Sequence, residues 1–315
     1  MLVKEGLRIV ATGHYVPDKV VTNDDLSKIV DTNDEWISSR TGIKRRHFVE
    51  DETNLDLALN AAKLALERSG IDKEELGVCI VATVKPDNLT PSMACLIQSK
   101  LGLPEAIPCF DINAACSGFM YAMQTARGLL MNSDKKYGLV VGSETLSRML
   151  DMTDRGTCVL FGDGAGSAII ELTDSNRFFS VLGSRGNDEV LVCPNKNNED
   201  RHLRMIGSDV FKFAVSTVPK AINELLDKAG ITAGDIDYFI CHQANFRIIE
   251  SVARKLKQPI EKFYVNLDEY GNTSSASIPI AMDEMNEKGL LKPGMKIICV
   301  GFGAGLTWGG AYLEW

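Results

Sequence analysis

The sequence has no apolar run approaching the roughly 18 residues that suggest a membrane span. Its opening residues, MLVKEGLRIVATG, lack the long apolar block and small-residue cleavage site of a secretory signal. A cytoplasmic protein is expected, with its first residues forming a strand and no membrane partner. No C-x-x-C pair occurs among the eight cysteines, Cys79, Cys95, Cys109, Cys116, Cys158, Cys193, Cys241 and Cys299, and the histidines, His14, His47, His202 and His242, are scattered. The adjacent Cys241 and His242 lie in an apparent strand, where successive side chains face opposite ways and do not grip one ion, so no metal is expected. Most cysteines sit in apolar runs such as GVCIVA and KIICVG, which reads as reduced, buried thiols rather than disulfides. A basic excess is also missing. The net charge is −8 and no Arg/Lys cluster is interleaved with aromatics, which argues against nucleic acid as a partner. The glycine clusters FGDGAG (161–166) and GFGAG (301–305) complete neither G-x-G-x-x-G nor a Walker motif, so close backbone approach replaces nucleotide binding as their reading.

What is present is an ordinary globular composition, 45% hydrophobic and 24% charged over 315 residues, with no low-complexity run. The length suggests about two domain-sized units. A whole supersecondary unit repeats. LALNAAKLALERSGIDKEELGVCIVA and VPKAINELLDKAGITAGDIDYFICHQ each give an amphipathic helix ending at a glycine (Gly70, Gly230), an acidic turn and an apolar strand (Val78 to Ala82, Tyr238 to His242). Second helices, third helices and closing strands follow in both copies. Alternating strands and helices predict an α/β protein with mainly parallel sheets, duplicated about a pseudo-twofold. The halves are expected at 1–175 and 176–315, where LTDSNRF interrupts the apolar pattern, and to pack as one body. Residues 185–204, rich in Asn, Asp and Arg, read as a surface excursion.

Three stretches carry candidate chemistry. IPCFDINAACSGFMYAMQTARGLL runs from a strand into a helix, which places Cys116 at a helix start among small neighbours. There the helix dipole is expected to lower the thiol pKa, although a buried structural cysteine fits the same position. His242 ends a strand, the usual ligand edge of an α/β sheet, though a lone histidine there is compatible with a structural role. Asn272, in VNLDEYGNTSSASI, opens the third helix of the second half, in what reads as the repeat-equivalent place to Cys116; a helix N-cap is the alternative. From Arg247 to Lys262, five basic residues face two acidic ones, either a solvated helix face or a docking patch for an acidic partner.

With NAACSGF around Cys116, CHQAN around His242 and YGNTSSASIP around Asn272, the chain resembles β-ketoacyl-ACP synthase III over its whole length. The Cys-His-Asn set separates this branch from the Cys-His-His elongating synthases. The resemblance implies a thiolase-like fold of two α/β halves in α-β-α-β-α layers. It implies condensation of an acyl-CoA primer with malonyl-acyl carrier protein through an acyl-Cys116 intermediate, with His242 and Asn272 catalytic and the Cys116 and Phe302 amides holding the oxyanion. No cofactor beyond the coenzyme A of the substrate is implied. Trp36 and Arg155 are expected to sandwich the adenine of coenzyme A, with Thr32 and Arg40 near its phosphates and Asn245 also in the site. Arg247, with Arg254, Lys255 and Lys257, is expected to dock acyl carrier protein. Thr90 stands where relatives with a strict acetyl preference often carry Phe, which implies a roomier primer pocket formed across a homodimer. Ser208 replaces the more usual Asn beside the pantetheine channel.

Overall fold

A computed structural model of the chain describes residues 6–194 and 202–315. The first five residues of the expected opening strand, and residues 195–201 of the expected surface excursion, lie outside the described residues.

The first half opens with β1 (Gly6–Tyr15) and a small antiparallel pair, β2 (Val20–Thr22) and β3 (Arg45–His47), with α1 (Asn23–Leu26) and α2 (Asp34–Thr41) between them. It continues through α3 (Asn54–Ser69), β4 (Leu76–Ala82), α4 (Met93–Leu101), β5 (Cys109–Ile112), α5 (Gly118–Leu130), β6 (Tyr137–Thr145) and β7 (Asp163–Thr173). The second half begins with β8 (Phe178–Asn187), the ribbon β9 (Leu191–Val192) and β10 (Arg204–Met205), and α6 (Gly207–Ala229). It ends with β11 (Tyr238–Cys241), α7 (Phe246–Leu256), α8 (Leu267–Tyr270), α9 (Ser277–Glu287), β12 (Lys296–Gly303) and β13 (Gly305–Glu314). The first helices stop where the sequence puts their glycines, because Gly70 and Gly230 take left-handed φ values of 63° and 65° that a side chain resists.

Two sheets result, ordered β1-β7-β6-β4-β5 and β11-β12-β13-β8. They are mixed, which corrects the expectation of mainly parallel sheets. β4 runs parallel to β5 and β6, and β11 to β12, but β7 and β13 are antiparallel to both of their neighbours. The cause is local. The closing strand of each half returns without a crossover helix, and β12 and β13 are separated by Ala304 alone, a link too short for a parallel connection. The second copy of β5 is reduced to a single parallel bridge, Phe239 to Phe263.

α3 and α4 cover the outer face of the first sheet, α6 packs on the second with α7 beside it, and α5 and α9 lie between the sheets. Phe119, Met123, Ile278 and Met282 from the middle helices share one buried cluster with Ile80, Val140, Ile240 and Ile297 from both sheets. Burial of this common layer joins the halves into one body.

The pseudo-twofold is sharpest just before the middle helices. Each is preceded by one 3-10 turn, Ala115–Ser117 and Ser274–Ala276, containing a left-handed non-glycine residue, Ala115 (φ 47°) or Ser274 (φ 51°). Asn113 Oδ1 accepts the Ala115 amide at 3.1 Å, and Asn272 Oδ1 accepts the Ser274 amide at 2.9 Å. The repeat therefore pairs Asn113 with Asn272 and Cys116 with Ser275. The expected pairing of Asn272 with Cys116 is three residues out of register, because small polar residues on both sides of the turn hide where the helix begins.

Each turn presses on a glycine of the neighbouring strand. A Cβ on Gly301 would lie 3.0 Å from the Cys116 carbonyl oxygen, and one on its counterpart Gly142 would lie 2.4 Å from the Ser275 carbonyl oxygen. We expect Gly142→Ala to destabilise the protein by about 1–3 kcal/mol, the usual cost of overpacking a core, read as a lower urea midpoint; an unchanged midpoint would show that the turn yields freely.

Candidate active site

Cys116 occupies the turn between β5 and α5 and is 8% exposed. The Ser117 hydroxyl, 2.8 Å from Ala114 O and 2.9 Å from Thr307 Oγ1, pins that turn to β13. Gly303 leaves it space, since a Cβ there would stand 2.6 Å from the Cys116 amide nitrogen. Burial pushes the Cys116 thiol up to about 12, with the Ser274 hydroxyl opposing the rise and the Glu144 carboxyl adding to it. This reverses the lowering expected from the helix start: removal from water and a nearby carboxyl outweigh the dipole, so the resting sulfur is a thiol.

His242 follows β11 directly, and its amide donates to Val300 O of β12 at 2.8 Å. Its Nδ1 lies 2.7 Å from Ser277 Oγ, and its ring meets Phe302 edge-on at 5.2 Å between centroids. The Gln243 amide points at the same Ser277 oxygen from 3.4 Å, which leaves the hydroxyl proton for Nδ1. Assigning the Ser277 proton to Nδ1 places the ring proton on Nε2 as a donor. Burial lowers the imidazole pKa to about 3, so the ring is neutral at ordinary pH. Asn272 spends Oδ1 on the Ser274 amide, which leaves its NH₂ group to donate.

Cys116, His242, Asn272 and Phe302 line one cavity of about 250 Å³, together with Gly156, Phe211 and Asn245. A second cavity, of about 430 Å³, lies against Cys116 from another side; Val84, Leu146, Phe161, Leu191 and Leu203 form its apolar wall. The three residues singled out in the sequence thus line one cavity, and Cys116 lines the second as well. Sequence reasoning missed Glu144, which is fully buried beside this group, and the supporting hydroxyls of Ser274, Ser275 and Ser277. Their one signal was the serine-rich NTSSAS run.

The remaining candidates fall into two clusters and two outliers. Trp36 is covered by Arg155 at 4.6 Å and by Arg40 at 4.7 Å, and Asn245 joins them by donating to Arg40 O at 3.1 Å. Arg155 is held there by Asp31, whose carbonyl accepts from it at 2.8 Å. An adenine between Trp36 and Arg155 needs about 7 Å, two van der Waals layers, so the expected sandwich requires Arg155 to swing away. Among the described residues, Thr32 Oγ1 is buried without a hydrogen-bond partner. Along α7, Arg247 donates to Ser39 O at 3.0 Å, Lys255 to Val215 O at 2.7 Å, and Arg254 and Lys257 are exposed with them. Thr90 is exposed and lines neither cavity of its own chain. Ser208 is exposed in the first turn of α6, next to the cavity-lining Gly207. Among the described residues, His14, Asp283 and Glu287 are close enough to share an ion, but Arg68 already bridges the two carboxylates at 2.7 and 2.5 Å.

Fold and site together define an acyl-transferring enzyme with a thiolase-like architecture. Residues 110–186 match the family described as 3-oxoacyl-[acyl-carrier-protein (ACP)] synthase III, and residues 226–315 match its C-terminal counterpart. The chain is 51% identical to a β-ketoacyl-[acyl-carrier-protein] synthase III of Clostridium acetobutylicum and 52% identical to one of Acholeplasma laidlawii, covering 98% of both partners in each comparison. It superposes on the crystal structure of 3-oxoacyl-[acyl-carrier-protein] synthase III from Aquifex aeolicus with a TM-score of 0.94 at 43% identity, covering 98% of this chain and all of that one. The chain belongs to the β-ketoacyl-acyl carrier protein synthase III family.

The neutral imidazole has a measurable consequence. With its folded pKa below the unfolded value, His242 contributes stability that is full above about pH 6.5 and lost as pH falls toward 3, because the unfolded chain takes up a proton that the fold refuses. Urea denaturation between pH 7 and pH 4 should show a shallower acid loss in His242→Asn; identical slopes would mean that the ring is protonated in place.

Proposed function

We propose that the chain condenses an acyl-CoA primer with malonyl-acyl carrier protein to give 3-ketoacyl-acyl carrier protein, initiating fatty-acid synthesis, with Cys116 as the acyl carrier. The observation that carries this reading is one cavity lined by Cys116, His242 and Asn272 together, with a second cavity that Cys116 also lines. The sulfur adds to the acyl-CoA carbonyl, the Cys116 and Phe302 amides hold the oxyanion, and coenzyme A leaves as a thiolate that takes its proton from water. Malonyl-acyl carrier protein then presents its thioester oxygen to His242 Nε2 and Asn272 Nδ2. The bond to its carboxylate breaks, CO₂ departs, and the electron pair becomes an enolate that those donors stabilise. The enolate carbon attacks acyl-Cys116, forms the new carbon–carbon bond and expels the sulfur. A neutral imidazole suits this step, since an imidazolium would hand the enolate a proton and quench it. These steps need no cofactor beyond the two thioesters.

The 250 Å³ cavity serves the pantetheine arm, with Trp36, Arg40, Arg155, Thr32 and Asn245 taking the nucleotide of coenzyme A once Arg155 has moved off the indole. Acyl carrier protein docks on the basic flank of α7 through Arg247, Arg254, Lys255 and Lys257, steered by opposite charge. The 430 Å³ cavity takes the acyl group, and an acetyl would leave most of it unfilled, so longer or branched primers are accepted. The enzyme works as a homodimer: β5 is an edge strand, and Leu89, 91% exposed, stands beside Thr90 on the loop leading into α4, whose first amides bond Asp111 of β5. Thr90 reaches a primer pocket only through that pairing.

Intact-mass measurement with a series of acyl-CoAs should show acyl adducts beyond acetyl that vanish in Cys116→Ala; no adduct with any acyl-CoA would remove the nucleophile, and acetyl alone would remove the breadth of primer. Arg247→Glu should slow reaction with malonyl-acyl carrier protein at least about tenfold while acylation by acyl-CoA stays near normal. Equal losses in both steps would place Arg247 outside the docking surface.

A further inference from the structure

Cys116 must lose its thiol proton as it attacks, and His242 is a poor acceptor. Its Nδ1 is engaged by the Ser277 hydroxyl, and burial suppresses its basicity. A different pair of groups lies near the sulfur. Ser274 lines the 430 Å³ cavity together with Cys116, and its hydroxyl oxygen lies 3.1 Å from Glu144 Oε1. Glu144, next to the end of β6, has no exposed surface. Oε1 also accepts from the Ser275 hydroxyl at 2.7 Å, and Oε2 from the Val84 amide at 3.0 Å and the Thr83 hydroxyl at 3.3 Å. All of these partners are neutral. Among the described residues no Lys, Arg or His pairs with this carboxyl.

We propose that Ser274 and Glu144 form a proton relay for Cys116. As the sulfur attacks the acyl-CoA carbonyl, its proton passes to Ser274 Oγ while the Ser274 hydroxyl proton passes to Glu144 Oε1. The sulfur–carbon bond forms, Glu144 becomes a neutral acid, and coenzyme A departs with the negative charge. When condensation later expels the Cys116 thiolate, the same proton returns through Ser274 and restores thiol and carboxylate. Charge favours this exchange. Carboxylate and thiolate so close in a dry site oppose each other's ionisation, whereas carboxylate plus thiol and acid plus thiolate both hold one negative charge. Burial also raises the Glu144 pKa to about 7, which suits a group that must both accept and return a proton near neutral pH. In this relay Ser274, which lines the cavity with Cys116, exchanges the proton directly, and Glu144 acts through it.

The inference rests on Cys116 being the acyl carrier, and the test keeps the two apart. Single-turnover acylation by acyl-CoA, followed by intact mass across pH 5.5–9, should rise through about pH 7 in the wild type. In Glu144→Gln and in Ser274→Ala it should be slowed about 100-fold at pH 8 and should lose that rise, with the double variant no slower than either single one. A merely electrostatic or packing role predicts otherwise: neutralising Glu144 removes a charge that opposes the thiolate, so acylation would stay within about threefold or become faster, and that result overturns the relay. Ser274→Ala removes a single hydroxyl and keeps the test decisive if Glu144→Gln does not fold; near-normal acylation there, with the pH rise retained, overturns it equally. Absence of any adduct in the wild type would instead defeat the Cys116 assignment itself.

Discussion

Two backbone turns driven against two glycines hold this molecule's working parts in place. The Cys116 carbonyl rests against Gly301, a tight fit for a side chain, and the Ser275 carbonyl against Gly142, an approach too close for one. Because Gly301 belongs to β12, the same strand that fixes Cys116 also fixes His242, whose amide donates to the adjacent Val300. Neighbouring residues of one strand therefore set the distance between nucleophile and donor. Asn272 enters through the other turn, held by its bond to the Ser274 amide and bridged to Phe161. The shared middle layer of α5 and α9 makes these placements cooperative, since neither turn can shift without moving a helix packed on both sheets.

Removal of water sets the site's electrostatics. The thiol is pushed up to about 12, the imidazole down to about 3 and the carboxyl up to about 7, each away from its charged form and each chiefly by burial. A site with so little fixed charge binds substrate charge only where charge develops, which is the condition for stabilising a transition state more than a ground state. In the proposed reaction the donors offered to the enolate are neutral. The cationic side chains stand outside the two cavities, along α7 and around Trp36.

Much of this was written in the sequence. The duplicated helix-glycine-strand pattern carried the two halves because amphipathic spacing and left-handed caps are local properties. Motifs around Cys116, His242 and Asn272 carried the constellation. Sheet direction was less legible, since an apolar strand reads alike whether its neighbour is parallel or antiparallel. The three-residue error in pairing Asn272 with Cys116 arose because side-chain size alone does not mark a helix start; only the left-handed Ala115 and Ser274 do. The thiol's pKa was misjudged because the helix dipole is visible in sequence while burial and a carboxyl from another strand are not. Arg155 shows the same limit: its motif was plain, but its rest position against Trp36 depends on Asp31 from a distant segment.

One signal in the repeat went further than it was taken. When YGLVVGSE is aligned with KIICVGFG, Gly142 meets Gly301 and Glu144 meets Gly303. Gly303 backs the Cys116 amide and adds no side chain there, while Glu144 fills the corresponding space beside Ser275 with a carboxyl. The two halves thus share a backbone and divide the work. Gly303 leaves room at the Cys116 amide, and in the proposed relay Glu144, on the opposite arm of the pseudo-twofold, acts on the same sulfur through Ser274. A symmetric pair of glycines would open two shallow sites, and a symmetric pair of acids would close both. The halves differ here and where Cys116 stands against Ser275, while both keep glycine at Gly142 and Gly301, where each turn packs on a strand.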